Sequence, residues 1–581
     1  MNDVQQSSEI RTTDREQTFE RLIELGIALS SERDHNRLME MILLEAKRIP
    51  NADGGTLYLY NEEGGTLSFE IMRNDTLNIA MGGTTGQDIP FPPLNTFDPE
   101  TQEANYNNAA TAVALTKEKS NIHDAYTVEK YDFSGTKAFD EKTGYRSTSF
   151  LTIPLLNRAD DVIGVVQLIN ARDENGNVVP FDQNVESIIG ALAGQAAVAL
   201  ENQLLVQQLR NLMDSFIELI AGAIDEKSAY TGGHCQRVPE LTKMIARAAC
   251  ESSDPRFADF DLTEDQWYEL HLAGWLHDCG KVTTPEYVVD KAVKLETISN
   301  RIHEVRNRFE IMIREAEIEY LKKAMDADTV ERERLKAEYE AQAAQLTGDF
   351  EFIAETNVGG EFLDDEAIER IKKIGEMTWT RTLDRSLGLS WEEGKRLERA
   401  APAAAPCEEK LLEDRPDHVT TQYNFGEIYN LSIRRGTLTE EERQKINDHI
   451  SVTIDMLESM PFPKSLKKVP EYAGGHHEKM DGTGYPRGLT KAEMSLPARM
   501  MAIADIFEAL TASDRPYKKA KKLSDSLKIM MLMNEDQHID PDLFELFLTA
   551  GVWKEYADLF LDPEQVNDVD ISQYMPAGNA D

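Results

Sequence analysis

The stretch AGGHHEKMDGTGYP, residues 473 to 486, restricts this chain more than any other. It sets two adjacent imidazoles, His476 and His477, ahead of a carboxylate, Asp481, and a turn made of Gly482, Gly484, Tyr485 and Pro486. Neighbouring side chains at a helix end point roughly 100° apart, so the pair can serve two metal ions, or one ion and one substrate, but seldom one coordination plane. The glycines permit positive φ and a close backbone approach to a ligand, and Pro486 stiffens the exit. A fold that uses this loop must bring it further ligands.

Composition narrows what those ligands serve. With 581 residues, of which 41% are hydrophobic, the usual domain size allows roughly four units with real cores. The formal net charge of −42 argues against a nucleic-acid partner, because binding to a phosphate backbone needs clustered Lys and Arg. The positive counter-charge for an anionic substrate must therefore be local. Four scattered cysteines, Cys235, Cys250, Cys279 and Cys407, form neither a disulfide framework nor a CxxC zinc site, and fit a reducing cytosol. No apolar run is read as reaching the ~20 residues of a membrane span, and Met1 to Arg11 is polar, so the expectation is a cytoplasmic protein without a membrane anchor.

Residues 1 to 14 read as disordered, after which Phe19, Leu22, Ile23 and then Leu38, Met41, Ile42 and Leu44 fall at helical spacing. The run GGTLYLYNEEGGTLSFEIMRN holds two β-rich segments parted by Asn61, Gly64 and Gly65, which is hairpin chemistry. SFLTIPLL and DVIGVVQLIN repeat the pattern around Asn157 to Asp161. Helices enclosing antiparallel strands predict one α+β domain.

The segments NIHDAY (121 to 126), GTKAFDEKTGYRSTSFLTIPLL (135 to 156) and VIGVVQLINA (162 to 171) resemble a GAF domain over residues 15 to 203. The subset of that family that binds cyclic nucleotides carries Asn-Lys followed by Phe, Asp and Glu; Lys137, Phe139, Asp140 and Glu141 match, with Thr136 in place of Asn. The resemblance implies a cyclic-nucleotide ligand, and the alternative is that this region pins a loop in a domain that only dimerises. From about Asp182 through Asp225 a long helix follows, with Leu205, Leu209, Leu212, Phe216 and Leu219 at alternating spacings of four and three. Read as a coiled-coil seam over residues 182 to 225, it predicts a parallel homodimer; the plain alternative is an amphipathic helix packed on its own domain.

The second half offers ligands in five places: His234, the pair His277 and Asp278, His449, the pair His476 and His477, and Asp505. Lys281 lies four residues beyond His277, one helical face if the helix continues to Pro285. Five imidazoles and two carboxylates exceed what one ion can use and suit Fe, Mn or similar divalent ions. His35, His123, His271, His303 and His418 read as ordinary core or surface residues, and His538 stays open. In order and context the ligand set and HHEKMDGTGYP resemble the HD-GYP family of HD-domain phosphohydrolases, from about residue 210 to 560, with 561 to 581 as a tail.

That resemblance implies an all-helical domain with a two-metal centre that hydrolyses cyclic di-GMP to pGpG, GMP or both, regulated by the GAF domain. It implies that His234, His277, Asp278 and Asp505 hold one ion, that Asp278 bridges, and that His449, His476 and His477 complete the other. Some members hold a third ion through a Glu one turn before the first histidine; Tyr230 stands there, so two are expected. Two ions would bring the pKa of a shared water from ~15.7 toward about 7, while Lys281 adds a cation beside the phosphate. Arg515 is a phosphate or guanine contact or a surface ion pair, and Asp481 and Tyr485 position substrate or brace the turn. Another cyclic dinucleotide or a phosphomonoester as substrate, or a non-catalytic nucleotide-binding scaffold, are the competing readings. The chain departs from the family pattern in extra sequence over 297 to 425. There Ile298, Ile302, Val305, Phe309, Met312 and Ala316 predict a helical hairpin, and ERAAPAAAPCEEK (398 to 410) reads as a flexible connector.

Overall fold

The structure is a computed structural model that describes residues 23–62, 64–225, 233–360, 362–399, 401–420, 423–513 and 521–575. Residues 1 to 14, Phe19, Leu22, Tyr230 and Arg515, on which expectations fell, lie outside these. The chain divides into two compact units, Met1–Met213 and Asp214–Asp581.

The first unit is built on an eight-stranded antiparallel sheet: β1 (Ala52–Asn61), β2 (Thr66–Asn74), β3 (Ile79–Gly82), β4 (Leu94–Asn95), β5 (Ser120–Ile122), β6 (Phe150–Leu156), β7 (Val162–Arg172) and β8 (Val178–Val179). Its order is β3-β2-β1-β7-β6-β5, with β4 on β2 and β8 on β7. The β1–β2 hairpin closes where Gly64 N–H donates to Asn61 Oδ1, and β6–β7 closes where Asn157 accepts from the N–H groups of Ala159 and Asp161. Both expected strand pairs are present. Helix α1 (His35–Arg48) and the first half of α4 (Gln183–Asp225) cover one face. Leu38, Ile42, Leu57, Val166, Leu168, Ile189, Leu192, Ala196 and Leu200 share the core there. The other face carries α2 (Ala109–Thr116), whose Ala110, Val113 and Ala114 pack with Tyr58 and Val165, and α3 (Ser134–Thr143) precedes β6 along the chain.

Helix α4 corrects the reading that nothing in the chain reaches a span's length and apolarity: by length and composition it is long and apolar enough to cross a membrane. Its first half has a local reason to be apolar, namely the core just described. Its second half leaves Leu205, Leu209, Leu212, Phe216 and Leu219 exposed at 55%, 65%, 53%, 57% and 69%.

In the second unit, α5 (His234–Cys250), α6 (Glu264–Leu276), α7 (Glu286–Val289) and the extra segment precede the rest. The extra segment begins with α8 (Ile302–Met325) and α9 (Thr329–Val358), antiparallel as the ring pairs Phe309–Phe350 and Tyr320–Tyr339 show. Ile302, Val305 and Phe309 are buried, whereas Ile298 precedes the helix and is 95% exposed. After α10 (Asp365–Gly375) the segment is not wholly helical. β9 (Thr378–Arg381) pairs antiparallel with β10 (Cys407–Lys410), on either side of α11 (Trp391–Arg399). The end of the supposed flexible connector is therefore a strand, fixed by the Arg381–Glu409 ion pair at 2.7 Å.

Five further helices that matter to the site and its surroundings follow: α12 (Glu427–Leu431), α13 (Glu440–Ser459), α14 (Val469–Gly474), α15 (Leu496–Thr511) and α16 (Leu523–Glu535). α13 opens on a capping box in which Thr439 and Glu442 satisfy each other's backbone N–H groups. Glu442 also takes the buried Lys291 ammonium at 2.7 Å, which ties the chain ahead of the extra segment to the helix after it. The supposed tail at 561 is structural in its first part: Gln565 is buried and its Nε2 donates to the carbonyls of Thr511 and Lys521.

Candidate metal centre

Seven side chains from five stretches converge. His234 opens α5, and His277 caps the C-terminus of α6 with Asp278 next to it. His449 lies in the middle of α13, His476 and His477 follow α14, and Asp505 lies on α15. They fall into two groups, His234, His277, Asp278 and Asp505 in one and His449, His476 and His477 in the other, with ligand atoms in each group within 4.8 Å of one another.

The turn after Asp278 differs from the sequence reading. α6 stops at Leu276, and Cys279–Thr283 is a 3₁₀ turn, so Lys281 does not share an α-helical face with His277. The cause is close packing on α13: a Cβ at Gly280 would fall 1.9 Å from the His449 carbonyl oxygen, and Gly280 N–H donates to Thr453 Oγ1. The tighter turn still brings Lys281 Nζ to Asp278 Oδ2 at 2.6 Å.

Hydrogen bonding fixes which nitrogen of each ring faces inward. His277 Nδ1 donates to Gly274 O at 2.7 Å, His476 Nδ1 to Ala473 O at 2.6 Å, and His449 Nδ1 to Ile446 O. His234 Nδ1 instead meets a carboxylate, Glu508 Oε2. For His277, His449 and His476 this leaves Nε2 as the lone pair. His234 Nε2 lies 3.3 Å from His277 Nε2, from Asp278 Oδ2 and from Asp505 Oδ1. The other Asp278 oxygen, Oδ1, stands 3.1 Å from His449 Nε2. Buried acceptors thus face acceptors, and Asp278 Oδ1, His449 Nε2 and His476 Nε2 have no hydrogen-bond partner. Such an array is costly unless a cation lies among the lone pairs. The donor set, imidazole nitrogens and carboxylate oxygens with no thiolate, fits divalent metal ions.

The electrostatics agree. Burial opposes the charge on Asp278, yet Lys281, His277 and His234 hold its carboxyl well below the usual range. Asp505 is lowered likewise, burial being outweighed by His234. His234 is raised well above its ordinary value because Asp278, Asp505 and Glu508 outweigh its burial. Burial first, then His477 and His277, push His476 well down, and burial pushes His477 down to about 4. His476 and His477 are thereby kept neutral, which is the state that ligates.

The remaining expected site residues are placed unequally. The Tyr485 ring stacks on His477 with centroids 4.9 Å apart, and burial raises its hydroxyl to about 12. Asp481 is exposed and accepts from Thr483 N–H and Oγ1, which braces the turn. Within that turn Gly482 has φ of +79°, and a Cβ at Gly484 would come within 2.4 Å of Lys479 N. In the first unit Asp140 is buried and accepts from Tyr126 Oη at 2.8 Å and from Ser147 N–H and Oγ, while Lys137 lies over the Tyr126 ring. Those contacts tie Asp140 and Lys137 to Tyr126 and Ser147; Phe139 is 36% exposed and Glu141 is exposed. Two acids escaped the sequence reading. Buried Glu478, inside the HHEKMDG stretch itself, accepts from Arg487 N–H at 2.7 Å and Leu489 N–H at 2.9 Å and so holds the loop. Glu508, one turn after Asp505, is the other.

Comparison with known proteins defines the class. A family model described as a GAF domain matches residues 34–200, and one described as an HD domain matches residues 393–543. The chain therefore joins a GAF domain to an HD domain, in keeping with the α+β and helical halves expected from the sequence. The HD match contains His449, His476, His477 and Asp505 and begins inside α11 of the extra segment, so it does not include His234, His277 or Asp278.

Among curated relatives, the chain is similar to 3′3′-cGAMP-specific phosphodiesterase 3 of Vibrio cholerae serotype O1, with 42% identity over 111 residues, 19% of this chain and 23% of that one. It is similar to a cyclic di-GMP phosphodiesterase of Thermotoga maritima, 27% identical over 276 residues, 47% of this chain and 66% of that one. The cyclic di-GMP phosphodiesterase response regulator RpfG of Xanthomonas campestris pv. campestris is 33% identical over 137 residues, 23% of this chain and 31% of that one. The chain spans less than two thirds of the length of each of these relatives.

Proposed function

We propose that the chain is a metal-dependent cyclic-dinucleotide phosphodiesterase that opens cyclic di-GMP to pGpG, GMP or both, under the control of its GAF domain. The observation that carries this is Asp278, whose two oxygens face different histidine groups, 3.3 Å from His234 Nε2 on one side and 3.1 Å from His449 Nε2 on the other. His234, His277, Asp278 and Asp505 would hold one divalent ion and His449, His476 and His477 the second, with Fe or Mn suited to the donors. Such a pair supplies Lewis acidity toward a phosphodiester and lowers the pKa of water to about 7.

The chain's own groups do the rest. Asp278 lies between the two histidine groups, one oxygen toward each. Lys281 stays protonated because Asp278 and Asp505 outweigh its burial, so it places a fixed positive charge beside the phosphate in an otherwise acidic protein. Tyr485, stacked on His477, offers an aromatic edge for a base or ribose. Four cysteines free of disulfides accord with a cytosolic setting. The exposed stripe from Leu205 to Leu219 matches the a/d seam of a second copy in parallel register, and we assign it to a homodimer.

A second substrate, 3′3′-cGAMP, is favoured by the name of the relative that is 42% identical over 111 residues. Chromatography of products from cyclic di-GMP, 3′3′-cGAMP and a phosphomonoester, with protein purified without air, tests both. Cleavage of cyclic di-GMP at the greater kcat/KM is expected. Faster cleavage of 3′3′-cGAMP selects the second reading, and metal-loaded protein that leaves every cyclic dinucleotide intact ends the proposal.

A further inference from the structure

We propose that Glu508, oriented by Arg237, is a positioning residue that selectively sets the affinity of the His234, His277, Asp278 and Asp505 group for its ion. This rests on reading the two groups as metal sites. His277, His449 and His476 each spend Nδ1 on a carbonyl three residues earlier. A backbone acceptor of that kind cannot be removed by exchanging a side chain. His234 opens its helix and has no helical carbonyl of this kind, and a side chain from α15 takes the role.

Glu508 is fully buried, and its two oxygens are divided. Oε2 accepts from His234 Nδ1, and Oε1 takes Arg237 Nε at 2.7 Å and Nη2 at 2.6 Å. The spacing explains why one pair of helices does both jobs. His234 and Arg237 lie three residues apart on α5, Asp505 and Glu508 lie three apart on α15, and residues three apart share a helical face. The same packing that brings His234 to Asp505 brings Arg237 to Glu508. A Cβ at Gly233 would sit 2.6 Å from Arg237 Nη1, so the guanidinium lies closely over the start of α5.

The physical consequence is specific to one ligand. A carboxylate behind an imidazole fixes the ring's orientation, keeps Nε2 as the lone pair and makes it a better donor than a carbonyl does. Arg237 holds the carboxylate in place with paired N–H donors. His449 and His476 turn Nδ1 to backbone carbonyls rather than to a carboxylate, so the second group does not lean on Glu508.

The test is Mn²⁺ binding by the full chain, followed by calorimetry and by elemental analysis after dialysis. Wild type is expected to hold two ions. Glu508→Gln keeps the shape but can donate to Nδ1, and is expected to weaken one ion by about 10- to 100-fold while the other is unchanged. Glu508→Asp should recover part of the loss, and Arg237→Met should weaken the same ion by a smaller factor. Metal-free melting temperatures of wild type and variants show whether folding is intact, and Arg237→Met carries the test if Glu508→Gln does not fold. Two ions at wild-type affinity in Glu508→Gln, or equal weakening of both, overturns the proposal. Wild type that binds no ion overturns the metal-centre reading itself.

Discussion

The GAF unit and the metal centre of the HD unit each bury carboxylates, and they treat them in opposite ways. In the first, Asp140 is satisfied by Tyr126 Oη and by Ser147 N–H and Oγ, and Asp53 by Tyr145 Oη, Thr76 and Arg172. Every donor that approaches these acids already carries a proton, so the networks are complete and serve as scaffolding. In the second, Asp278 Oδ1 and the Nε2 atoms of His449 and His476 are buried acceptors without donors. A satisfied network rigidifies a fold, whereas a set of converging lone pairs stores an unmet need for positive charge. That difference, rather than the number of acids, separates structure from chemistry in this chain.

Replacing Asp278 by Ala sharpens the contrast most. Both ions should be lost and turnover should fall by on the order of a thousandfold or more, as read by metal analysis and product chromatography. Protein that keeps both ions would break the comparison at its root. Glu478→Ala should cost roughly 2 to 4 kcal/mol, since it leaves two loop N–H groups without their acceptor. Denaturant unfolding followed by tryptophan fluorescence checks this cleanly, because all five tryptophans, Trp267, Trp275, Trp379, Trp391 and Trp553, lie in the second unit.

A pH titration of the metal-free protein comes next in size. His477 is held at about 4, below the ordinary histidine value of about 6.5. A base lowered in this way favours the folded state in its neutral form, so the stabilisation is present above about pH 6.5 and is lost as pH falls through about 4. His477→Ala should therefore lose less stability than wild type over that window, by at most about 3 kcal/mol. Equal losses would show that the ring is not held neutral by its surroundings. The smallest effect belongs to the satisfied side. Asp140→Ala should destabilise the first unit by on the order of 2 kcal/mol, visible by circular dichroism, with metal content and the tryptophan transition unchanged.

Much of the architecture could be read in advance because it is local. The hairpins follow from Asn61 with Gly64 and Gly65 and from Asn157, the long helix from its unbroken apolar repeat, and the ligand candidates from the density of His and Asp around short motifs. What could not be read depends on who approaches whom. Lys281 looked helical from its spacing, but the packing of Gly280 against α13 tightened that turn to 3₁₀. The end of the Ala- and Pro-rich connector became a strand because Thr378–Arg381 lies alongside it. Asp481 and Glu478 stand three residues apart in one motif, yet the exposed one braces only its own turn through Thr483 while the buried one reaches Arg487 and Leu489 across the loop.

By itself the sequence determined the two classes of domain, the identity of the side chains able to hold cations, and the stripe on the connecting helix, since all three are matters of residue type and period. The tertiary structure alone decided that Asp278 would present one oxygen to each histidine group, that carbonyls or a carboxylate would turn each Nε2 inward, and that Glu508 would stand behind His234. Those outcomes depend on contacts between residues up to 274 positions apart, which no local pattern encodes.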